Sequence, residues 1–233
     1  MKKLDKKSTI IISVAASLTI FMAAMGATLA IMTQSTESRS NNFTFGKVDI
    51  ELEEPGWEEN DHILYPGRTV PKDPIVTNTG INDLYVFLEV RIPKADVLIV
   101  DEIDKGKIIS APSMQLVKTV YQDSEGNTID DHNPDWIQID EYDIGNDYHC
   151  IIYGYKERLA GYKDEQTPGE TTTQLFDKVT FVNAVEGEPE KMSFDMPIKA
   201  YAIQADYLDG VEDNDITEKL KKAYDLYVKS VNS

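Results

Sequence analysis

The stretch Leu84–Ile92, with the sequence LYVFLEVRI, decides the fold class of this 233-residue chain. Every second side chain is aliphatic, namely those of Leu84, Val86, Leu88, Val90 and Ile92. The positions between them carry Tyr85, Phe87, Glu89 and Arg91. A period of two residues is typical of a β-strand, because successive side chains of a strand point to opposite faces. The pattern predicts a half-buried strand, with its aliphatic face in a core and its other face toward solvent.

Strand signals of the same kind recur along the chain, separated by polar, turn-rich loops. The candidates are residues 114–122, 135–139, 148–155, 178–183 and 193–204. In the last of these, Phe194, Met196, Ile198, Ala200 and Ala202 share a face. Many short strands with turn signals between them and almost no helix indicate an all-β fold. We predict an antiparallel, jelly-roll-like β-sandwich over residues 43–210.

The C-terminal segment, residues 211–233, follows a different period. Its apolar side chains recur every three to four residues, at Ile216, Leu220, Ala223, Tyr224, Tyr227 and Val231. Asn214 and Asp215 precede the first of them and are suitable N-caps. We therefore predict an amphipathic helix over residues 215–231 that docks on the sandwich.

The N-terminus has the pattern of an export signal or a membrane anchor. Four lysines stand within the first seven residues, and residues 8–36 contain no charged residue. Such a run is long enough to cross a bilayer as a helix, which takes about 20 residues. Thr28 and Ala30 place small side chains where a signal peptidase requires them, so we predict a signal helix that is cleaved between Ala30 and Ile31. A retained anchor is the alternative.

Cleavage at that point would leave residues 31–42 as a flexible arm at the front of the sandwich. The basic residues ahead of the apolar run would stay on the cytoplasmic side, so the rest of the chain would be delivered outside the cell. Contact with the membrane would then be confined to residues 1–30.

The chain is strongly acidic. It has 23 basic and 41 acidic residues, and loss of residues 1–30 removes four lysines and one aspartate, which changes the formal charge from −18 to −21. Such a surface repels nucleic acid and anionic membranes. It favours solubility, and binding of divalent cations is a second interpretation. The single cysteine, Cys150, excludes an intramolecular disulfide and fits a small core residue.

We predict no catalytic residues, no metal site and no cofactor. The three histidines, His62, His132 and His149, do not form the H-E-x-x-H pattern of a zinc peptidase, and no G-x-S-x-G pattern occurs. The stretch Asp123–Asp131, DSEGNTIDD, concentrates oxygen ligands around a glycine. We interpret it as a solvated hairpin, with a calcium site as the alternative.

Two prolines interrupt an otherwise strand-like stretch, Leu64–Gly80, LYPGRTVPKDPIVTNTG. Pro71 and Pro74 are an odd number of residues apart, so their missing N–H groups fall on opposite sides of the strand. A strand paired on both sides would leave carbonyl groups of its neighbours without a donor. We predict that ladder pairing begins at about Pro74 to Ile75, and that residues 64–73 run along a sheet edge where a specific incoming strand could bind.

Five stretches, in this order, resemble the TasA and camelysin family, whose members are exported by a SipW-type signal peptidase. They are ATLAIMTQS at the export site, FTFGKVDIELEEPGW, LYPGRTVPKDPIVTNTGINDLYVFLEV, TPGETTTQLFDKVTF and IKAYAIQAD. Each stretch alone is a weak signal, and their common order makes the resemblance specific. The resemblance covers the export signal and the first and last thirds of the mature chain, and residues 95–165 are not part of it.

The resemblance implies a jelly-roll protein of the cell surface that assembles into biofilm matrix fibres, with copies of itself or related matrix subunits and the signal peptidase as partners. In such fibres the segment after the cleavage site adds as a strand to the next subunit. The assembly residues would be Ile31, Met32 and Phe43 near the donor arm and Pro71 and Pro74 at the accepting edge. Two alternatives stay open. One is a surface module that binds calcium, a glycan or a protein, and the other is a camelysin-like metallopeptidase, which the histidine pattern disfavours.

Overall fold

The computed structural model describes residues 48–57, 66–101, 103–104, 106–164, 166–185, 195–206 and 214–231. The predicted signal helix, cleavage site and arm lie outside these residues. The described strands are β1 Ile50–Glu53, β2 Thr69–Pro71, β3 Ile75–Asn78, β4 Leu84–Val100, β5 Ile108–Gln115, β6 Val117–Gln122, β7 Thr128–Asp130, β8 Trp136–Ile144, β9 Tyr148–Tyr155, β10 Lys178–Phe181 and β11 Ile198–Gln204. They are followed by helix α1, Ile216–Val231. No helix of this part of the chain is long and apolar enough to cross a membrane.

The strands form antiparallel sheets, so the prediction of an all-β fold with a C-terminal helix is confirmed. The largest sheet has the order β11-β4-β9-β8, and β5 pairs with β4 beside this path. A second sheet has the order β2-β10-β6-β7, and β1 pairs with β3 in a third.

Strand β4 is the central strand, and its two halves have different partners. Its first half pairs with β11 on one side and β9 on the other, so that Leu88 lies opposite both Ala200 and Tyr153. Its second half pairs with β5 from Lys94 onward, with a register shift between Ala95 and Val97. The 17-residue strand β4 therefore belongs both to the largest sheet, through its first half, and to the β4–β5 hairpin, through its second half.

The main core lies between the largest sheet and the other two sheets. The aliphatic face of β4 shares one cluster with Val70 of β2, Val76 of β3 and Phe181 of β10, each of which is at most 5% exposed. Burial of each such side chain stabilises the fold by roughly 1.5–3 kcal/mol. The result is the two-layer, sandwich-like body that the alternating pattern predicted.

The second face of β4 is buried as well, which corrects the prediction that this face lies toward solvent. Tyr85 and Phe87 are 2% and 0% exposed, because helix α1 packs on this face. Leu220 of the helix is fully buried, and the Tyr224 ring lies 5.3 Å from that of Phe87. A Cβ atom at Gly154 of β9 would lie 3.1 Å from Leu220 Cδ1, so a glycine gives the helix room to approach. The helix therefore adds a third layer.

Helix α1 begins within one residue of the predicted start. The Asp215 carboxylate accepts a hydrogen bond from the Thr217 N–H at 2.8 Å, and its carbonyl accepts one from the Lys219 N–H at 3.0 Å. An N-cap of this kind satisfies donors that the first turn leaves without a helical partner. The prediction of a docked amphipathic helix is confirmed.

Candidate assembly site

The predicted site residues divide between two regions of the chain. Those of the cleavage site and the arm lie outside the described residues, namely Thr28, Ala30, Ile31, Met32 and Phe43. Pro71 and Pro74 are described. The structure therefore bears on the accepting side of the predicted assembly and not on the donor.

Strand β2, which ends at Pro71, is an edge strand of the second sheet. The Lys72 N–H donates to the Asp177 carbonyl at 3.0 Å, and the Phe181 N–H donates to the Arg68 carbonyl at 2.8 Å. These bonds place the even-numbered residues toward β10 and Pro71 on the outer side. Because the missing donor faces outward, pairing begins at β2 rather than at residue 74 as predicted.

Pro74 is buried, and the strand that follows it has a neighbour on each side. The Leu175 N–H donates to the Pro74 carbonyl at 3.1 Å. Beyond it, the Thr172 N–H donates to the Val76 carbonyl at 2.9 Å, and the Asn78 N–H donates to the Glu170 carbonyl at 2.9 Å. Because β1 pairs with the other side of β3, residues 170–175 of the same chain occupy the side that an incoming strand would need.

Strand β11 is an edge of the largest sheet. The Pro197 carbonyl accepts a hydrogen bond from the Arg91 N–H at 3.0 Å, and the Ala205 N–H donates to the Asp83 carbonyl at 2.7 Å. These two bonds fix the alternation, so odd-numbered residues of β11 bond to β4 and even-numbered residues point away from it. The outward backbone groups belong to Ile198, Ala200, Ala202 and Gln204. None of the described strands pairs with this side.

Strand β1 belongs to the other layer and lies near the outer side of β11. Some of its Cα atoms lie within 8 Å of those of β11, although its hydrogen-bonded partner is β3. The Asp49 carbonyl accepts from the Thr79 N–H at 3.0 Å, so the backbone groups of Ile50 and Leu52 point away from β3.

We call the opening between these two strands the seam. It comprises Ile50, Leu52, Ile198, Ala200 and Ala202. All five side chains are partly buried and pack against the main core. A strand could pair with the outward backbone groups of β11 and cover these apolar side chains, but β1 comes too close to β11 for one strand to bond to both borders.

A cavity of about 480 Å³ lies at one end of the seam, lined by Leu52 and Ile198 together with further apolar residues and three charged ones. Lys72 lies there with its Nζ atom 2.8 Å from Glu54 Oε1 and 4.8 Å from the centre of the Trp57 ring. The cation is therefore paired and stacked at once, which suits its low exposure of 8%.

Sequence reasoning grouped Ile198, Ala200 and Ala202 on one face but did not identify β11 as an edge. A usable signal was present in Pro197, which directly precedes the strand. Proline is tolerated at the first residue of a strand or on edge strands, because it cannot donate to a ladder.

The stretch Asp123–Asp131 forms the tip of the β6–β7 hairpin, as predicted. The Asp123 carboxylate accepts hydrogen bonds from the N–H groups of Asn127 and Glu125 at 2.8 and 2.9 Å. These bonds, with that from Asn127 first, hold the pKa of Asp123 below its ordinary value. The Asp123 side chain, a ligand in the alternative calcium interpretation, therefore already stabilises the turn.

A second acidic group follows the hairpin. Ligand atoms of Asp130, Asp131 and His132 lie within 4.8 Å of one another, close enough to share a cation. The His132 ring packs 5.0 Å from the ring of Tyr153, which gives the imidazole a fixed position. Oxygen and imidazole ligands together suit a divalent metal.

Cys150 and His149 lie on opposite faces of β9. Cys150 is fully buried, and burial raises the pKa of its thiol. This is the reverse of the lowered pKa that activates a nucleophilic cysteine. His149 Nδ1 lies 3.0 Å from Asp143 Oδ1, and this contact helps to hold the pKa of Asp143 below its ordinary value.

Glu89 is a buried carboxylate that the sequence pattern did not reveal. It is 3% exposed, and its Oε2 atom accepts a hydrogen bond from the Tyr201 hydroxyl at 2.6 Å. Arg91 Nε donates to its other oxygen. Burial alone would raise the pKa of Glu89, but the bonds from Tyr201 and Arg91 outweigh it and lower the pKa.

Comparisons of the chain with protein-family models, with curated protein sequences and with solved structures find no match.

Proposed function

We propose that the protein is an exported, non-catalytic structural subunit, similar to TasA, that builds biofilm matrix or surface fibres by β-strand addition. The proposal places the accepting site at the seam, and the arm of a neighbouring copy or related subunit provides the strand. The two layers would correspond to the jelly-roll arrangement that the family resemblance implies. The observation that carries the proposal is the outward row of backbone groups on β11.

The energetics of the seam favour addition of a strand. Each backbone hydrogen bond that an incoming strand makes contributes a net 0.5–1.5 kcal/mol, to an order of magnitude. Covering the five partly buried side chains of the seam adds about 25 cal/mol for each Å² of apolar surface removed from water. Several bonds along β11 together with this burial exceed the cost of ordering a short arm only if the arm pairs along most of the strand.

The other edges are less suitable as acceptors. Strand β2 presents Pro71 on its outer side, which removes a donor. Strand β7 has three residues, and Asp130 and Asp131 stand at its end. Strand β8 carries Asp140, Glu141 and Asp143, and charges of this kind oppose edge-to-edge pairing. By contrast, β11 has seven residues in unbroken register with β4 and only one charged side chain, that of Lys199.

Charge does not oppose the arm as the donor. The arm, residues 31–42, has one basic and one acidic side chain, whereas residues 48–233 contain 17 basic and 39 acidic residues. An arm whose side chains are formally neutral is not repelled by the strongly negative body of another copy, although two such bodies repel each other. Salt should therefore favour the assembly, because it screens the repulsion between bodies at distances of more than about 8–10 Å at physiological ionic strength.

The test compares two proline substitutions in the protein recovered from the culture medium of cells that express the full chain. Ala200→Pro removes an outward donor at the seam and leaves the bonds between β11 and β4 intact. Thr69→Pro does the same on the outer side of β2 and is the matched control. We expect filaments, seen by negative-stain electron microscopy and by pelleting, from the wild type and Thr69→Pro but not from Ala200→Pro.

Three outcomes would contradict the proposal in different ways. Filaments from Ala200→Pro but not from Thr69→Pro would identify β2, and not β11, as the accepting strand. Filaments from a form that begins at Phe43 would exclude residues 31–42 as the donor. A wild type that remains monomeric at high concentration would refute self-assembly.

A second candidate function is a cation-binding surface module, favoured by the cluster of Asp130, Asp131 and His132. A cation that binds only the folded state raises the melting temperature. We expect calcium or manganese to raise the melting temperature of the wild type more than that of Asp131→Asn. An equal response of the two proteins would exclude this site.

A further inference from the structure

The sequence of the arm, residues 31–42, decides which of its faces could lie on the seam. Its two charged side chains, those of Glu37 and Arg39, stand at odd-numbered positions, and the even-numbered positions from Met32 to Asn42 carry no charge. In a strand these two sets point to opposite faces. Only the even-numbered set can cover the seam without burying a charge, which is costly unless the charge is paired.

Strand β11 has the same parity. Ile198, Ala200 and Ala202 direct their side chains to the main core and their backbone groups away from β4. Residues that pair across two adjacent strands have their side chains on the same face, so even-numbered residues of the arm must pair with even-numbered residues of β11. A shift of one residue would bring Glu37 and Arg39 into the seam.

Strand β11 has one charged side chain, that of Lys199, which is exposed. Asp195, four residues earlier, is exposed as well. No hydrogen bond or ion pair joins either side chain to another residue of the described ranges. Glu89, which lies opposite Lys199 on β4, is already bonded to Tyr201 and Arg91. The edge therefore offers a cation within the strand and an anion before it.

The chain on both sides of β11 is acidic. Residues 186–194 contain three acidic residues and one basic residue, and residues 207–213 contain three acidic residues and no basic one. Asp206 follows the strand and forms an ion pair with Arg158 at 3.1 Å. Helix α1, on the other face of the sheet, has four basic and two acidic residues. The order of charge along the edge is thus negative, positive at Lys199, and negative.

One antiparallel register matches the arm to this order. With Glu37 opposite Lys199, arm residues 32–38 pair in reverse order with the whole of β11, residues 198–204. All the even-numbered residues then pair with even-numbered ones. Ile31, the first residue after the predicted cleavage site, lies just beyond the end of β11. The length of the arm therefore equals the length of the edge.

Other registers match less well. The register above carries Arg39 toward Asp195 and the new terminal ammonium group toward the acidic end of β11. A shift of two residues in one direction places Arg39 opposite Lys199, and like charges directly opposite each other destabilise a strand pair. The opposite shift separates Glu37 from Lys199 and leaves Gln204 without a partner. A parallel arm with Glu37 beside Lys199 would carry Arg39 away from Asp195.

We propose that the arm of a second copy of this chain pairs antiparallel with β11 in this register, with Glu37 opposite Lys199 and Arg39 toward Asp195. The inference rests on the proposed strand addition and adds the identity of the partner to it. A cross-strand charge pair changes affinity only a few-fold, so these charges act on the choice of register and partner. An arm of a related subunit without this order of charges would bind less well.

Disulfide formation in assembled protein measures the register. Thr33→Cys and Ile203→Cys in one chain place thiols at opposite, non-hydrogen-bonded positions of neighbouring copies, where Cα atoms lie about 4.5 Å apart, within the range of a disulfide. The controls combine Ile203→Cys with Ile31→Cys or Ser35→Cys and are shifted by two residues. Cys150 is fully buried and does not compete. We expect a ladder of covalent oligomers on non-reducing gels at several times the yield of either control.

Charge reversal tests the selection of the partner. Glu37→Lys or Lys199→Glu alone should lower the yield of the Thr33–Ile203 cross-link about two- to fivefold, and the two together should restore it. Lys156→Glu is the matched control, because Lys156 is exposed and lies away from β11. It should leave the yield unchanged.

The outcomes separate failure of the register from failure of strand addition. Filaments with as much cross-link in a shifted control would overturn the register but leave β11 as the acceptor. Filaments with no cross-link from any of the three pairs would overturn both the register and the choice of β11. A double charge reversal no better than either single one would overturn selection by charge. A wild type that forms no filaments would refute strand addition and this inference together.

Discussion

Replacement of Glu89 by glutamine should destabilise the protein by about 2 kcal/mol at neutral pH. The wild-type carboxylate accepts one hydrogen bond from the Tyr201 hydroxyl at 2.6 Å and another from Arg91 Nε. A hydrogen bond to a charged group contributes about 1.5–3 kcal/mol, and an amide can replace only one of the two acceptors. The Arg91 side chain is 24% exposed, so solvent screens part of its attraction and the lower half of the range applies.

Urea denaturation at several pH values measures the effect and its sign. The pKa of Glu89 is lowered in the folded protein. Its stabilisation is therefore fully present above the unfolded pKa of about 4.3 and is lost as the pH falls through the folded pKa. The difference between wild type and Glu89→Gln should shrink below about pH 4.

Two controls sharpen this prediction. Glu51→Gln, at an exposed carboxylate of β1, should change stability by less than about 0.5 kcal/mol. Tyr201→Phe should cost less in the Glu89→Gln background than alone, because the two groups share a bond. A Glu89→Gln protein as stable as the wild type at pH 7 would refute the view that this carboxylate is a paired, stabilising charge.

Further predictions concern packing. Leu220→Ala should cost roughly 2–4 kcal/mol in urea denaturation because the side chain is fully buried, whereas Lys221→Ala on the exposed side of α1 should cost less than about 0.5 kcal/mol. Gly169→Ala should cost about 3 kcal/mol or more, since its Cβ atom would lie 1.8 Å from the Asn78 carbonyl oxygen; a cost below 1 kcal/mol would show that the backbone yields there. Cys150 should react with a thiol reagent only when urea opens the fold, and rapid reaction of the native protein would contradict its burial and raised thiol pKa.

Strand β4 shows how far a local pattern predicts a fold. The alternation of residues 84–92 correctly predicted a strand with an aliphatic core face. The strand in fact continues to Val100, and the periodic signal fails because Pro93 and the register shift at Ala95 interrupt it. A bulge changes which side chains face the core, so a period of two cannot be followed across it.

The second face of β4 was not predictable from its own residues. Glu89 beside Arg91 is a typical solvent-facing pair in sequence, yet both lie on the side that α1 and Tyr201 partly cover. The covering elements stand more than 100 residues away in the chain. Periodicity reports the face that is apolar, but it cannot report that a distant helix buries the polar face as well.

The edge that we propose as the acceptor was not predictable from local sequence either. Pro71 does stand on the outer side of an edge strand, but pairing already begins at β2 rather than at residue 74, and the Pro74 carbonyl is bonded by Leu175 of the same chain. That residues 170–175 flank β3, and that β11 ends the largest sheet, follow from the order of strands. Strand order depends on contacts between segments far apart, which no short window of sequence contains.

The long reach of β4 has a consequence for how the chain can fold. Its neighbours come from residues 148–155 and 198–204, and the cover of its second face comes from residues 216–231. To form contacts between residues so far apart in sequence, the chain must first close large loops. It loses conformational entropy before it buries apolar surface, so folding is slow. A chain that emerges with its N-terminus first must therefore keep this apolar strand in water until nearly the last residue has appeared. The yield of native protein therefore depends on the C-terminal segment. A truncation before residue 198 would remove β11 and α1, expose one edge and one face of β4, and favour aggregation.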